Sequence, residues 1–530
     1  MRMAGGTGAG PRWGLLLGTA LGLVTLGPAM AQDADASADG ADRPIEAEPP
    51  IEEVADGTLV LDTIDVTAAP GITTEDTGSW TTEWMRSATG LPLSQKETPQ
   101  STSVITDAQM KDRNITTVSE VMDAATGITV QAYESDRINY YSRGFPIDSY
   151  QFDGVPIPRD GTWQFGDNNT DMVLYDHVEI VRGATGLMQG AGEPGASINY
   201  IRKRPTSFLR RETAVAIAYP IGGRAEADVS GPMNDAGTLR GRLIGAADSR
   251  EGTLDGYRKD RYVGAGALEL DVTDRTQVNL GLSYQKTDAD NVTWGGLPPF
   301  DSDGELIDWP WGFNLGADWT YNDTEWTEAF AAVEHVFEND WTARITATHV
   351  QNDFANQLAW ISGVPEVGTG LGMSSWAAKY DGSFKQDSLN AVLNGEFQAL
   401  GRFHQFVAGA FVSDSRGTFN GYDVDPTTLA PVGNVFDWDG SFPEPSFSDE
   451  VTQVWNTETT QIGLYGTVQF HATDALALLA GARLNWWDGT QTDPGAPTYA
   501  YTYEGIVTPY VGFTYDIDDT YTAYGSITSI

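Results

Sequence analysis

The sequence contains no cysteine, few basic residues and few histidines. Its 530 residues include no Cys, five His, and 31 Lys and Arg against 74 Asp and Glu, for a formal net charge of −43. The lack of Cys excludes disulfides and thiolate chemistry. The negative charge excludes a nucleic-acid binder, because such binding needs Lys and Arg to displace counterions from phosphates. No Ser/His/Asp pattern stands out, so we expect no enzyme, and the histidines lack metal-ligand spacing: His177, His335, His349, His404 and His471.

The sequence also lacks a segment suited to a transmembrane helix. Its main apolar run, residues 13–26, follows Arg2 and Arg12 and precedes the small-x-small sequence Ala29-Met30-Ala31. These features predict a secretory signal peptide over residues 1–31. The run is shorter than the ~20 apolar residues that span a bilayer as a helix. If the mature chain spans a membrane, it must therefore do so as a closed β-barrel.

The remaining chain divides into three segments of different composition. Residues 32–90 are predicted to be a linker, because their first half is Ala, Asp, Glu and Pro with few large apolar side chains. Residues 91–205 have the apolar density of a compact domain. From residue 206 to 530, apolar and polar residues alternate with period two, which predicts about thirteen strands. Short turns alternate with long acidic, aromatic loops near 288–325 and 416–451, which favours an outer-membrane barrel over a water-soluble sandwich.

A glycine-rich segment follows an apolar strand within the predicted compact domain. Gly190-Ala-Gly-Glu-Pro-Gly195 matches the dinucleotide-binding pattern G-x-G-x-x-G. That pattern requires a helix to begin at its third glycine. Here Pro194 interrupts the motif and residues 196–201 have the composition of a strand. The match to the nucleotide motif is therefore not interpreted as a binding site.

The whole stretch from Val178 to Pro205 instead resembles the plug domain of TonB-dependent outer-membrane receptors. The family pattern is V-E-V-x-R-G-P-x-x-x-x-Y-G-x-x-x-P-G-G-x-I-N-x-x-x-K-R-P, and this sequence departs from it at Ala184, Gln189 and Ala196. The resemblance implies a mostly β fold, with an antiparallel transmembrane β-barrel (206–530) around an N-terminal α+β plug domain (91–205) in its lumen. Such plugged barrels close with ~22 strands. We therefore expect this barrel to be incomplete and the sequence to be a C-terminally truncated member.

The resemblance also implies a site for an energising partner. The linker contains a short β-prone segment that resembles a TonB box, which would pair with TonB, working with ExbB and ExbD, as an added strand. Any apolar run in an acidic linker could give the same pattern. The segment consists of Leu61, Asp62, Thr63, Ile64, Asp65, Val66 and Thr67.

The spacing in Tyr141-Ser-Arg-Gly-Phe145 and the closing Arg202-Lys-Arg-Pro205 are similar to those of the ferric-siderophore branch. This resemblance implies a transporter in the outer membrane of a Gram-negative bacterium, in contact with lipid and lipopolysaccharide. Its ligand would be an iron–siderophore chelate whose iron is already saturated, so we expect neither a resident cofactor nor protein metal ligands. Binding residues would supply rings and donors, although ordinary local packing is an equal alternative for them: Arg143, Arg159, Trp163, Gln164 and Phe165.

Two other functions stay open from the sequence. A TonB-dependent receptor can take another scarce solute, such as a cobalamin or an oligosaccharide. A passive porin-like barrel is a further alternative, but it would need neither a TonB box nor a plug domain of this size.

Buried charges shared between plug and barrel wall would hold the plug in place yet let it yield to force. We predict Glu179 and Arg182 for this role, with Arg143 as a third candidate on the plug. Arg182 could instead bind only neighbouring carbonyl groups. The candidate partners on the wall are Arg240, Arg242, Glu226 and Asp228.

Overall fold

A computed structural model describes residues 73–157, 170–218 and 221–530. The segment Leu61–Thr67 lies outside these residues, as do Arg159, Trp163, Gln164 and Phe165. The described residues form a small mixed domain, the plug, and a large antiparallel sheet, the wall. No helix in these three ranges is long and apolar enough to cross a membrane.

Among the described residues, the plug contains eight short strands and three short α-helices. Its helices are capped by side chains where the sequence predicted a helical segment: Thr117 and Glu120 form a reciprocal capping box. The three predicted inward residues of that helix, Val118, Val121 and Met122, are buried. The elements are β1 (Ser101–Ile105), α1 (Asp107–Asp112), α2 (Val118–Ala124), β2 (Ile128–Ala132), β3 (Ile138–Ser142), β4 (Phe145–Pro146), β5 (Ser149–Phe152), β6 (Val155–Ile157), β7 (Tyr175–Arg182), α3 (Gly186–Gln189) and β8 (Ala196–Arg202).

Two sheets organise the plug. The larger has the strand order β1-β7-β8-β5-β6, and the smaller has the order β2-β3-β4. The central strand β7 pairs with β1 on one side and with β8 on the other, so nearly all of its residues are buried. The glycine-rich segment therefore connects two adjacent core strands, and its second strand, β8, confirms that no nucleotide-type helix begins there.

The wall is a single sheet of thirteen antiparallel strands in sequence order. The predicted fold class and strand number are confirmed. The strands are β9 (Arg210–Ala218), β10 (Gly222–Pro232), β11 (Leu239–Glu251), β12 (Arg258–Thr273), β13 (Thr276–Asp290), β14 (Tyr321–Val336), β15 (Thr342–Gly363), β16 (Met373–Ala399), β17 (Arg402–Tyr422), β18 (Gln453–His471), β19 (Leu476–Thr492), β20 (Tyr499–Asp516) and β21 (Thr522–Thr528).

The wall strands place their apolar side chains outward. In β13, Leu280 and Leu282 are 46% and 58% exposed, while Asn279 and Gln285 on the opposite face are buried. A water-soluble sheet would bury the leucines. The inverted pattern is that of a sheet whose outer face contacts lipid and whose inner face is polar.

The connections between wall strands differ in length at the two ends of the sheet. One end has short turns, such as the one between β12 and β13. The other end carries long loops, of which residues 291–320 and 423–452 are the largest. These two loops pack together: Trp438 donates its indole N–H to the carbonyl of Gly316 over 2.9 Å, and Val435 is fully buried beside Leu315 and Ile361.

Candidate functional site

The plug is tied to the wall by buried ion pairs, and the first of them centres on Asp171. Its carboxylate accepts two hydrogen bonds from the guanidinium of Arg224 on β10, over 2.8 and 2.9 Å. Arg261 on β12 donates to the same carboxylate over 3.1 Å. The backbone N–H of Asp171 also donates to Gln285 on β13 over 2.9 Å. One plug residue therefore contacts three wall strands.

The Asp171 carboxylate is completely buried, and its charge depends on these partners. Burial by itself would raise the pKa of Asp171, but the charges of Arg261 and Arg224 outweigh that effect and hold the pKa below its usual value. A buried charge with paired, geometrically matched partners is stable, whereas loss of one partner leaves an uncompensated ion. Asp171 thus makes a specific contact that is costly to break.

A second ion pair joins the N-terminal end of the described plug to the wall. Arg242 on β11 donates to both carboxylate oxygens of Glu75 over 2.6 and 2.7 Å, and to Asp228 on β10 over 2.9 Å. Arg210 on β9 also lies 3.0 Å from Glu75. Lys203 adds a longer contact of 3.5 Å to Asp228. Glu75 is therefore held by two wall arginines.

The residues around Glu75 are also attached to the plug core. Asp176 on β7 accepts hydrogen bonds from the backbone N–H groups of Thr74, over 2.7 Å, and Glu75, over 3.2 Å, as well as from the hydroxyl of Thr73. His177 lies 2.6 Å from Asp176 and 3.3 Å from Glu179. Burial would lower the pKa of His177, but these two carboxylates raise it to about 9. The chain entering the plug is therefore bound to a buried, charged network.

Glu179 and Arg182 were predicted to pair with the wall, but in the described part of the chain their hydrogen bonds are with plug residues. Glu179 accepts from the backbone N–H and the hydroxyl of Ser87, within the plug. Arg182 donates to Ser103 and to the carbonyls of Thr102 and Thr126, also within the plug. Both residues lie on β7, which has plug strands on both sides. The alternative for Arg182, binding to neighbouring carbonyls, is the observed one.

The wall candidates divide into two pairs. Arg242 and Asp228 contact the plug, but through Glu75 and Lys203 and not through the predicted plug residues. Arg240 instead pairs with Glu269 and Asp271, and Glu226 pairs with Arg224, so these two residues bond within the wall. Sequence reasoning missed Glu75 and Asp171 because abundant carboxylates give no signal for the few that are buried.

The glycine-rich segment that connects β7 and β8 packs closely against the wall. Gly190 has φ +94, and a Cβ there would lie 2.8 Å from the amide nitrogen of Gln461 and 2.9 Å from Asn485. Arg483, which is almost fully buried, donates to the carbonyl of Met188 over 2.9 Å. The glycine is needed for a left-handed backbone and for close approach to the wall, not for a phosphate.

Of the predicted ligand-binding residues, only Arg143 lies within the described part of the chain. It is exposed and occupies the turn between β3 and β4, where Arg143 and Gly144 have φ +54 and +85. Two consecutive positive φ values are typical of a type I′ hairpin turn. A residue with a bulky side chain rarely adopts a positive φ, so the backbone conformation of Arg143 in this turn is sterically unfavourable.

Aromatic side chains gather in the long-loop half of the wall. Phe419 lies at ring-centroid distances of 4.9 Å from Tyr380 and 5.0 Å from Trp455, and Trp294 lies 6.3 Å from Trp360. The binding residues named from the sequence all lie on the plug, and none of them belongs to this cluster. The signal that could have found this cluster is the tryptophan content of the loop near residues 288–325. No group of three or more metal-ligating side chains occurs within the ranges that the structure describes.

A plug bound by buried ion pairs inside a lipid-facing β-sheet defines a plugged outer-membrane receptor. Two family models match the chain: the TonB-dependent receptor plug domain over residues 94–197, and the TonB-dependent receptor-like β-barrel over residues 291–530. The chain belongs to the TonB-dependent receptor family, as the sequence resemblance predicted. It is accordingly an outer-membrane protein of a Gram-negative bacterium.

Curated relatives support the siderophore branch of this family. The chain is 36% identical over 490 residues to the ferripyoverdine receptor of Pseudomonas aeruginosa, covering 91% of this chain and 58% of that protein. It is 25% identical over 365 residues to the ferrioxamine B receptor of Salmonella typhimurium, covering 66% of this chain and 50% of that protein. Both relatives are named as receptors and not as enzymes, in agreement with the prediction. The chain thus spans about half the length of each of these relatives.

Solved structures of similar proteins show the same fold. The pyoverdine outer-membrane receptor of Pseudomonas aeruginosa, bound to pyoverdine, matches with a TM-score of 0.82 at 36% identity, covering 88% of this chain and 67% of that one. The alcaligin outer-membrane receptor of Bordetella pertussis matches with a TM-score of 0.68 at 31% identity, covering 86% and 67%. The plug and the wall are thus the parts shared with these receptors.

Proposed function

We propose that the protein imports ferric siderophores across the outer membrane, driven by TonB with ExbB and ExbD. The observation that carries this proposal is the 36% identity over 490 residues with a receptor named for ferripyoverdine. Identity at that level extends through both plug and wall, so it covers the parts that would bind the chelate and open for it. Ferric iron would be cargo within its chelate and not a resident cofactor.

The position of the predicted TonB box supports an energised mechanism. The box ends at Thr67, six residues before Thr73. Thr73 is the first residue of the hydrogen-bonded network around Asp176 on β7. A pull on the box would reach Thr73, Thr74 and Glu75 before any other described part of the plug. It would then load the Glu75–Arg242 pair, which joins the plug to the wall.

The proposed ligand contacts combine a cation with aromatic rings. Arg143 is exposed in its turn and can donate charge-assisted hydrogen bonds to chelating oxygens. Trp163, Gln164, Phe165 and Arg159 remain proposed contacts on the plug. Asp148 lies close to Arg143 in sequence and would offset its attraction for anions, whereas Asp153 is paired with Arg202. We therefore propose that the iron-binding groups of the chelate are neutral hydroxamates rather than anionic catecholates.

Titration of tryptophan fluorescence with a panel of ferric and iron-free chelates tests this proposal on the full-length receptor in detergent. We expect ferric chelates to quench the fluorescence, and Trp163→Ala and Arg143→Ala each to weaken affinity by roughly thirtyfold, as for a hot-spot side chain worth about 2 kcal/mol. Trp341→Ala is the matched control, because Trp341 lies in a short turn at the opposite end of the wall from the long loops. Unchanged affinity in both plug variants would move the site to the wall loops, and no response to any ferric chelate would refute siderophore binding.

A further inference from the structure

A cavity of about 430 Å³ lies between the plug and the wall, toward the end of the wall with the short turns. The plug contributes Arg86, Gln151 and Arg204 to its lining, and the wall contributes Arg344 and Glu334. Arg344 is the third residue of β15, next to one of those short turns. The cavity is separate from the exposed turn of Arg143, so its residues have no part in the contacts proposed above for the chelate.

Three of the arginines in this lining are held only loosely. Arg344 lies 3.8 Å from Glu334, and Arg204 lies 3.7 Å from Glu269, which are too long for hydrogen bonds. Three other ion pairs of the plug, Glu75–Arg242, Asp153–Arg202 and Asp171–Arg224, are tighter, at 2.6–2.8 Å. Arg86 has no ion pair within 4.0 Å among the described residues, and its Nε has no hydrogen-bond partner there.

Most carboxylates in the cavity lining are paired with other cations. Glu75 is bound by Arg242, Asp153 by Arg202, and Glu269 by Arg240. Asp76 is paired with Arg210, and Asp176 and Glu179 both contact His177. The lining therefore has three loosely held guanidiniums facing one loosely held carboxylate, Glu334. The pKa of Arg86 lies below its usual value, mainly because the group is buried. The charges of Arg344 and Arg204 lower this pKa further, and the charges of Glu334 and Glu179 offset the decrease only in part.

Gln151 gives an independent sign that a polar ligand belongs here. Its side chain lines the cavity and is fully buried on β5, yet neither its amide nitrogen nor its amide oxygen has a hydrogen-bond partner among the described residues. Buried amides in folded proteins are almost always satisfied. Nη2 of Arg204 is likewise buried and without a partner in the described part of the chain.

We propose that this cavity binds an oxyanion, a carboxylate or phosphate group held by Arg86, Arg204 and Arg344, with Gln151 as a neutral donor. Guanidinium groups suit such ligands because their planar N–H pairs match two oxygens. An oxyanion would relieve the mutual repulsion of the three arginines and satisfy the free donors. It could come from free phosphate or, if the proposed transport function holds, from an anionic group of the cargo on its way past the plug.

Thermal unfolding of the full-length receptor in detergent tests the site, with potassium phosphate and potassium chloride compared at equal ionic strength. We expect phosphate to raise the unfolding midpoint of the wild type, because a ligand that binds only the folded state stabilises it. Arg344→Gln should weaken phosphate affinity roughly tenfold or more. In chloride the same variant should unfold no earlier than the wild type, because it loses repulsion rather than a tight ion pair. A purely structural Arg344 would instead lower the midpoint in both salts.

Arg416→Gln is the matched control, since Arg416 is an exposed arginine on β17 outside the cavity. It should keep the full phosphate response. The oxyanion site is refuted if phosphate does not raise the wild-type midpoint, or if Arg344→Gln responds as the wild type does. If either result is obtained while ferric chelates still quench the tryptophan fluorescence, the cavity site is refuted but the proposed siderophore binding is not.

Uptake of a carboxylate-bearing and a neutral ferric chelate then assigns the source of the oxyanion once the phosphate response is established. A greater loss of uptake for the carboxylate-bearing chelate in Arg344→Gln supports the site as a contact for passing cargo. An equal change in the uptake of both chelates in Arg344→Gln supports the site as one for free phosphate.

Discussion

At the scale of single residues, Asp171 joins the plug to two wall arginines through one buried carboxylate. Asp171→Asn would leave Arg224 and Arg261 buried beside a neutral amide. Removing one partner of a buried ion pair costs about 3–5 kcal/mol. We therefore expect a clear drop in the thermal unfolding midpoint of the purified receptor. Asp387→Asn, at an exposed wall carboxylate, is the control and should leave the midpoint nearly unchanged.

His177 predicts a pH dependence of stability. Its pKa is raised to about 9 from an ordinary value of 6.5. Between these two pH values, His177 is therefore protonated in the folded plug and neutral in the unfolded chain. The stabilisation is fully present below pH 6.5 and is lost as the pH rises through about 9. Thermal midpoints measured from pH 6 to pH 10 should fall across this window in the wild type. The fall should be much smaller in His177→Gln, and an equal slope in both proteins would contradict the ion network.

At the scale of elements, the glycine-rich segment between β7 and β8 sets how closely the plug approaches the wall. Gly190→Ala would place a methyl group against Gln461 and Asn485 in addition to straining a positive φ. Gly304→Ala strains a similar φ of +81 in a loop, with nothing within 4 Å of the new methyl. We expect Gly190→Ala to increase protease cleavage of the plug well beyond the effect of Gly304→Ala. Equal cleavage of the two variants would show that wall contact at Gly190 does not hold the plug.

The strands were the part of the fold that the sequence predicted best. Period-two alternation depends only on local order, so β13 and β18 were placed to within a few residues and the strand total of the wall was right. Strand β17 runs to Tyr422, into the long loop predicted near residues 416–451, because wall strands extend beyond the lipid-facing band where alternation fades. The period-two alternation therefore does not predict where such an extended strand ends.

The charge pairs were harder to predict, because they depend on distance in space. Glu75 and Arg242 are 167 residues apart in sequence, and neither differs in its local pattern from dozens of other charged residues. Glu179 and Arg182 stood out only because they lie in the family motif. Their strand is central in the plug sheet, and that position could be read only from the register of β7 against β1 and β8.

At the scale of the whole molecule, the plug contacts the inner face of the wall through buried ion pairs, close glycine contacts such as that of Gly190, and two apolar clusters. Such contacts hold a fixed geometry, yet each is local and can be broken in turn by a pull from one end. The network at Thr73, Thr74 and Glu75 lies at the end of the plug nearest the predicted TonB box in sequence. We therefore predict that force enters the molecule there.

The most direct test of this account is uptake of a radiolabelled ferric siderophore by cells that carry the full-length receptor with Ile64→Pro. Proline removes a backbone donor and cannot extend an added strand, so TonB could not pair with the box. Ala55→Pro, in the linker outside the box, is the control. We predict that Ile64→Pro abolishes uptake while binding of the ferric chelate stays at the wild-type level, and that Ala55→Pro changes neither. Sustained uptake by Ile64→Pro would contradict the account.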